Sequence, residues 1–189
     1  MSTFSFLSIL SIHLLLSAPV LASAQSADRP AWTFGGTVGG GQTWDDESSI
    51  GRGWLIGGYA DRRISRNVDI EFSVDFLTHE RHTGPSSFQA EGHTTYLSAA
   101  LIRRFGPPRS NLFLLGGGTI GIHRGTAGLA DAPQADTDGT HPGFLAGGGL
   151  SFRTARNVEI APIFRFTMLS IDVDSDSAMS YTLGVRVGF

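Results

Sequence analysis

Cysteine and lysine are both absent from this 189-residue chain, and charged residues make up only 16% of it. Without cysteine no disulfide can form, so the fold depends on hydrogen bonds and packing even in an oxidising compartment. All 14 basic residues are arginine, whose planar guanidinium pairs with a carboxylate or phosphate through two parallel hydrogen bonds. Beyond the first 24 residues, no apolar run approaches the ~20 residues of a membrane-spanning helix. The sequence therefore predicts no such helix in residues 25–189.

The first 24 residues have the pattern of a secretory signal peptide. An apolar run from Phe4 to Leu16 contains no Asp, Glu or Arg, and Ala22-Ser23-Ala24 offers small residues at the positions where such peptides are cleaved. The run is too short to span a membrane, and Pro19 follows it. We therefore expect residues 1–24 to direct export and residues 25–189 to form one mature domain.

Strand-like segments fill the mature region. Each is ten residues or a little longer and alternates apolar with small or polar side chains. The eight segments are 32–44, 52–64, 68–79, 93–105, 112–124, 143–153, 158–170 and 179–189. Short turns follow the second, fourth and sixth segments, whereas longer, mostly acidic connections follow the others. This alternation is typical of a transmembrane β-barrel, with long loops outside the cell and short turns in the periplasm.

Several segments have one apolar and one polar face. A soluble barrel would turn the apolar face inward, but most charges of this chain lie outside the segments, which favours an apolar face towards lipid. An arginine that faces lipid near the midplane costs about 2–4 kcal/mol. We therefore predict that the charges within strands point into the lumen, namely Asp69, Glu71, Asp75, Glu159, Arg165 and Arg186.

These predicted lumen charges allow two roles. We expect Glu71, Glu159, Arg165 and Arg186 to pair with one another. The interior of an eight-stranded barrel is just wide enough for side chains to fill, and glycine runs within the strands leave room for long ones. We interpret the charges as a structural network that fills the lumen. A gated ion path, and with it a narrow channel for small solutes, is the alternative.

Charge is sorted between the two expected ends of the barrel. The long connections hold most of the acids: Asp45, Asp46, Glu47, Glu80, Glu91, Asp131, Asp136, Asp138, Asp172, Asp174 and Asp176. Eight arginines lie near the short turns: Arg62, Arg63, Arg66, Arg103, Arg104, Arg109, Arg153 and Arg156. An acidic outer rim suits divalent-cation bridges to lipopolysaccharide phosphates, although ordinary solvated loops explain the same composition.

The C-terminal octapeptide TLGVRVGF carries the most specific motif. Thr182, Gly184, Val187 and Phe189 fill the four defined positions of the β-signal, polar-x-Gly-x-x-apolar-x-apolar. With this motif, the signal peptide and eight segments, residues 25–189 resemble the small eight-stranded outer-membrane β-barrels of Gram-negative bacteria, the OmpA- and OmpX-like proteins. The resemblance implies an all-β, antiparallel up-and-down transmembrane barrel with a structural or surface-interaction role.

The same resemblance implies partners. We expect a monomer that contacts outer-membrane lipid and lipopolysaccharide and that the barrel assembly machinery inserts by recognising the β-signal. The sequence indicates no cofactor and no nucleic-acid partner. Nor does it indicate a metal site, because His79-Glu80-Arg81-His82 is one residue short of the zinc motif HExxH, and 172–177 lacks the glycine of a calcium loop.

An enzyme is the second functional alternative, because some small outer-membrane barrels modify lipid A as deacylases or palmitoyl transferases. His123 with Ser86 or Ser87 and an acid such as Glu91 would supply a nucleophile, a base and an orienting carboxylate at the outer rim. The His-x-Ser strand motif of the deacylases is missing, because Arg124 and Gly125 follow His123. We therefore predict a protein without a catalytic site.

Overall fold

The computed structural model describes residues 31–44, 49–82, 88–107, 109–129, 135–136, 138–153, 158–170 and 177–189. Eight long strands make up nearly all of it: β1 Trp32–Trp44, β2 Ser49–Ser65, β3 Val68–His82, β4 Phe88–Phe105, β5 Ser110–Leu129, β6 Gly139–Arg153, β7 Glu159–Ser170 and β8 Ser177–Gly188. A two-residue strand, Ala135–Asp136, pairs with β5. Within these ranges no helix is long and apolar enough to cross a membrane. The predicted signal peptide lies outside the described residues.

The sheet closes on itself. Each long strand pairs antiparallel with its sequence neighbours, and β1 also pairs with β8 from Gly35↔Gly188 to Trp44↔Met179. At the end of this seam, the N–H of Phe189 donates to the carbonyl of Phe34 at 2.9 Å, and the N–H of Phe34 donates back at 3.2 Å. The predicted all-β, eight-stranded antiparallel up-and-down barrel is thus confirmed.

Large apolar side chains cover the outside of the barrel. On β3, Phe72 and Val74 are about half exposed and point outward, whereas the residues between them are buried. On β4, Tyr96 and Leu97 are both large, so alternation alone does not decide which of them faces outward; the structure turns Tyr96 inward and Leu97 outward. A continuous apolar outer surface on a closed sheet suits lipid as the surrounding solvent, because closure leaves no open sheet edge.

The two ends of the barrel differ in their connections. We call the end with the β1–β2, β3–β4, β5–β6 and β7–β8 connections the loop end, and the other the turn end. The prediction of loops at 80–92 and 125–142 was wrong in extent, because β3 continues to His82, β4 begins at Phe88 and β5 continues to Leu129. An antiparallel ladder satisfies backbone groups whatever the side chains are, so it extends beyond the apolar belt.

Pro162 interrupts one ladder without a bulge. A proline within a strand is compatible with either a bulge or a locally unpaired position. The β6–β7 register is the same on both sides of it, with Gly149↔Ile163 and Phe152↔Ile160, and the β7–β8 ladder continues through it. Because proline has no N–H to donate, pairing towards β6 is lost locally while the strand keeps its alignment.

Candidate functional site

The six predicted lumen charges all lie inside the barrel. Each of these residues is at most 5% exposed, and each belongs to an ion pair. They alternate along their strands with outward apolar residues, so the period of two in each strand is what turns them inward.

Arg165 spans the lumen. It lies on β7, and its guanidinium reaches β3, four strands away around the closed ring. Arg165 Nη2 donates to Glu71 Oε1 at 2.6 Å, and Nη1 donates to Asp75 Oδ2 at 2.5 Å. A single side chain thereby joins opposite walls of the barrel.

Arg186 extends the network to β8. Its Nη1 lies 2.7 Å from Glu71 Oε2, and its Nη2 lies 3.3 Å from Asp61 Oδ2. Its guanidinium also stacks on Tyr59, with Cζ 3.6 Å from the ring centre. Glu71 therefore lies between two arginines, which compensates the burial of its charge.

Two arginines assigned to the turn-end rim belong to this network instead. Arg104 donates to Asp69 at 2.7 Å and to Glu159 at 3.0 Å, and Arg153 donates to Glu159 at 2.9 Å. Their side chains are 5% exposed, so their placement on a solvated rim was wrong. Strand alternation, and not closeness to a turn, decides the direction of a side chain.

Asp61 is a lumen residue that the sequence reasoning missed. It is 2% exposed and lies 3.5 Å from Arg104 and 3.3 Å from Arg186. The available signal was its alternation with Tyr59 and Leu55 on β2, which are also buried. With it, four arginines and five carboxylates from β2, β3, β4, β6, β7 and β8 form one connected network.

Glycine leaves room for the long side chains of this network. A Cβ added at Gly147 would lie 3.2 Å from Arg165 Cγ, and one added at Gly57 would collide with the carboxylate of Asp75. Both glycines lie in strands that flank the strand of the charged residue. The glycine content within the strands is therefore part of the packing of the lumen.

An apolar layer lies between the ion pairs and the loop end. Leu55, Leu77, Tyr96, Leu169 and Ala178 are mutually packed and at most 7% exposed. Along β3, the inward positions run Asp75, Leu77, His79, so Leu77 marks the level of this layer. Because it joins β2, β3 and β4 to β7 and β8, the layer crosses the lumen. Ion pairs and apolar packing together close the interior.

A chain of hydrogen bonds between hydroxyl and imidazole groups lies on the loop-end side of the apolar layer. Tyr96 Oη is 2.8 Å from Ser180 Oγ, which is 2.9 Å from Thr43 Oγ1. Thr94 Oγ1 lies 2.8 Å from His79 Nε2 and 3.1 Å from His123 Nδ1. Thr43 Oγ1 lies 3.3 Å from His79 Nδ1 and so connects the two halves. Both imidazoles are thus held by hydroxyl groups inside the barrel.

A polar cleft of about 580 Å³ opens at the loop end. Its walls come from the ends of β3, β4 and β5 and from Asp138, whose Oδ1 accepts a hydrogen bond from the N–H of Gly125 at 3.3 Å. Glu80 and Glu91 face each other across the β3–β4 ladder at its edge. The lining residues are Thr78, His79, Glu80, Glu91, Gly92, His93, Arg124, Gly125, Thr126 and Asp138.

The catalytic alternative is not assembled among the described residues. Ser86 and Ser87 lie outside them, and His123 lies near the hydroxyl of Thr94. The described part of the chain also contains no group of three or more His, Asp or Glu side chains placed to hold a metal ion. Of the predicted loop acids, Asp45, Asp46, Glu47, Asp131, Asp172, Asp174 and Asp176 lie outside the described residues.

The four residues of the C-terminal motif divide between the two faces of β8. Thr182 and Gly184 lie on the inward face, whereas Phe189 points outward and is 67% exposed. Phe189 also closes the seam with Phe34 through its backbone.

A closed antiparallel sheet with an apolar exterior and a charged, filled interior defines a transmembrane β-barrel. The sequence places the chain more narrowly: it belongs to the family of the outer membrane protein beta-barrel domain, whose model matches residues 10–189. The predicted family resemblance is thereby confirmed, and the outer membrane is the location that this family implies.

Solved structures share the fold at low sequence identity. Neisserial surface protein A is 17% identical, with a TM-score of 0.61 over 84% of this chain and 96% of that one. Ail, the attachment invasion locus protein of Yersinia pestis, is 13% identical, with a TM-score of 0.53 over 85% of this chain and 100% of that one. No curated protein sequence matches the chain significantly.

Proposed function

We propose that this protein is a monomeric outer-membrane barrel with a sealed lumen, which acts structurally and through interactions at its cell-surface end. The main support for a sealed lumen is that Arg165 on β7 forms ion pairs with Glu71 and Asp75 on β3, on the opposite wall. The apolar layer around Leu77 adds a second barrier to ions, because a narrow apolar constriction excludes water.

Planar-bilayer recording tests the seal. We expect purified protein to give no stable unitary current. A variant with Arg165→Ser and Leu77→Ser loses one large side chain from the ion-pair network and one from the apolar layer, and we expect it to conduct. Stable unitary currents from the wild-type protein would support the narrow channel instead.

The surface role rests on the loop end. Polar strand ends and the cleft lie there, and the long loops of outer-membrane barrels face outward. We propose that this end meets lipopolysaccharide and extracellular partners. Loops carried on a rigid scaffold are where binding residues concentrate.

Cysteine labelling tests this orientation, because the chain has no cysteine of its own. Glu80→Cys at the loop end should react with a membrane-impermeant maleimide on intact cells. Arg66→Cys in the β2–β3 turn should react only after the outer membrane is permeabilised. The reverse pattern would contradict the orientation.

We propose no enzymatic activity. Support comes from His79 and His123, whose imidazoles lie near the hydroxyl of Thr94 inside the barrel wall. Incubation of the purified protein with lipid A should release no fatty acid. Release that depends on His123 would instead favour the deacylase alternative.

A further inference from the structure

Two outward-facing arginines at the turn end each lie against an exposed aromatic ring. Arg62 Cζ is 5.5 Å from the centre of the Trp32 ring, and Arg103 Cζ is 5.9 Å from the centre of the Phe105 ring. Trp32 is 42% exposed and Phe105 is 39% exposed. Because the face of an aromatic ring attracts a cation, each ring holds a guanidinium at the edge of the apolar belt.

The acidic side chains near this edge point away from it. Asp61, Asp69 and Glu159 lie at the turn end, but all three are at most 5% exposed and are bound by arginines in the lumen. The outer surface of the described turn end is therefore positive, and Arg66 and Arg109 in the turns add to this charge. Arg103 Nε is buried and has no hydrogen-bond partner among the described residues.

Apolar side chains flank both arginines on the outer face. Ile64, on the turn side of Arg62, is 56% exposed, and Leu101, on the other side of Arg103 from the turn, is 38% exposed. An arginine near the edge of an apolar belt extends its stem along the acyl chains and its charge towards the headgroups. Short turns of outer-membrane barrels face the periplasm, where the adjoining leaflet supplies the headgroups.

We propose that Arg62 and Arg103 bind the phosphate groups of anionic glycerophospholipids in the periplasmic leaflet. Each guanidinium presents parallel N–H donors that match a phosphate. The attraction between a basic residue and an anionic membrane surface strengthens binding roughly fivefold per residue. The barrel thereby carries its own annulus of anionic lipid on the β2 and β4 sides.

Fluorescence quenching of Trp32 tests this proposal. The protein, with Trp44→Phe and Trp54→Phe so that Trp32 is the only reporter, is refolded into phosphatidylcholine liposomes. A small fraction of brominated phosphatidylglycerol or brominated phosphatidylcholine is then included as the quencher. We expect several-fold stronger quenching by the phosphatidylglycerol, and a loss of this preference with Arg62→Gln and Arg103→Gln.

A matched pair of substitutions separates these two arginines from general surface charge. Arg66→Gln and Arg109→Gln remove the same charge from the turns and leave the Arg62–Trp32 and Arg103–Phe105 contacts in place, so we expect the preference to persist. A heat-modifiable gel shift confirms folding of each variant. If the variant with Arg62→Gln and Arg103→Gln does not fold, Arg62→Lys with Arg103→Lys replaces it. The lysines keep the charge but lack the paired N–H donors of a guanidinium, so the preference for phosphatidylglycerol should fall.

Three outcomes would overturn the proposal. The first is equal quenching by the two brominated lipids in the parent protein. The second is an undiminished preference after Arg62 and Arg103 are both substituted. The third is an equal loss of the preference when Arg66 and Arg109 are substituted instead, because the preference would then depend on the total charge of the turn end.

Discussion

The guanidinium of Arg186 lies 3.6 Å from the centre of the Tyr59 ring, inside the barrel. Tyr59 is on β2 and Arg186 is on β8, so the contact crosses β1 and the seam at which the barrel closes. The ring passes over two glycines: a Cβ added at Gly35 would lie 2.5 Å from Tyr59 Cζ, and one added at Gly188 would lie 2.5 Å from Tyr59 Oη. The packing of Tyr59 at the seam therefore requires glycine at both positions.

Gly35→Ala should weaken this seam. The added methyl group collides with Tyr59 and with the carbonyl of Val187, so the ring must leave its place under Arg186. We expect a loss of about 1–3 kcal/mol in the free energy of unfolding, as for other overpacked sites. Urea titration in lipid vesicles, followed by tryptophan fluorescence, measures it.

Gly36→Ala is the matched control for this substitution. Its added Cβ would point to the other face of β1, where the nearest atom is the carbonyl oxygen of Gly57 at an ordinary 3.6 Å. We expect nearly wild-type stability. Equal losses from the two substitutions would mean that glycine flexibility, and not the space under Tyr59, matters at this seam.

Arg165→Gln should destabilise the barrel strongly. Glu71 and Asp75 would lose the guanidinium that joins them to β7, and Asp75 has no other ion pair among the described residues. Removal of one partner from a buried ion pair typically costs 3–5 kcal/mol, and we expect about 3 kcal/mol because Arg186 still compensates Glu71. The measurement is again the urea unfolding midpoint.

Arg52→Gln serves as the reference for loss of charge alone. Arg52 is exposed on β2, and its Nε donates to Gln42 at 3.2 Å. Exposed polar pairs contribute little, so we expect an unfolding midpoint close to that of the wild type. If Arg165→Gln matched this variant, the lumen network would be dispensable for stability.

Thr94→Val should disturb the hydroxyl–imidazole chain. Its hydroxyl is the shared neighbour of His79 Nε2 and His123 Nδ1, and Thr94 is only 3% exposed. The substitution removes the hydroxyl beside His79 Nε2, and the loss of a hydrogen-bond partner by a buried polar atom costs about 1–3 kcal/mol. We expect that loss in urea unfolding. Thr95→Val, opposite the outward-facing Phe76, should leave the midpoint unchanged.

Phe189→Ala separates assembly in the cell from stability. The backbone hydrogen bonds to Phe34 do not need the aromatic ring, so purified protein should refold into detergent as the wild type does. If the ring is part of the signal for the assembly machinery, the amount of barrel in the outer membrane should fall several-fold. Leu183→Ala is the control, because Leu183 is also 67% exposed on the same face of β8. Equal membrane levels of the two variants would contradict an assembly role for Phe189.

The direction of side chains within each strand could be predicted from the sequence because alternation is a local property. Period two in the third segment placed Asp69, Glu71 and Asp75 on one face, and the structure has them there. The fourth segment resisted this reasoning because Tyr96 and Leu97 are both large and mainly apolar. Only the packing of Tyr96 against Leu77 and Leu169, opposite the lipid-facing Leu97, distinguishes them.

Only some residues of the lumen network could be predicted from the sequence. Asp61, Arg104 and Arg153 lie next to turns, and nearness to a turn suggests solvent. Each nevertheless lies at an inward position of its strand. Asp61 meets Arg186 and Arg104 meets Glu159, partners that are more than 40 residues away in the sequence. Such pairs depend on the register of all intervening strands, which no local pattern contains.

The sequence by itself determined the class, the number of strands and the direction of most side chains, because these follow from strand periodicity and the choice between lipid and lumen. Tertiary structure alone decided which charges meet and how the lumen is closed. Arg165 reaches Glu71 only because closure of the ring sets β7 opposite β3 at a distance that one arginine side chain spans. That distance is a property of the whole barrel, since the number of strands and their stagger set its width.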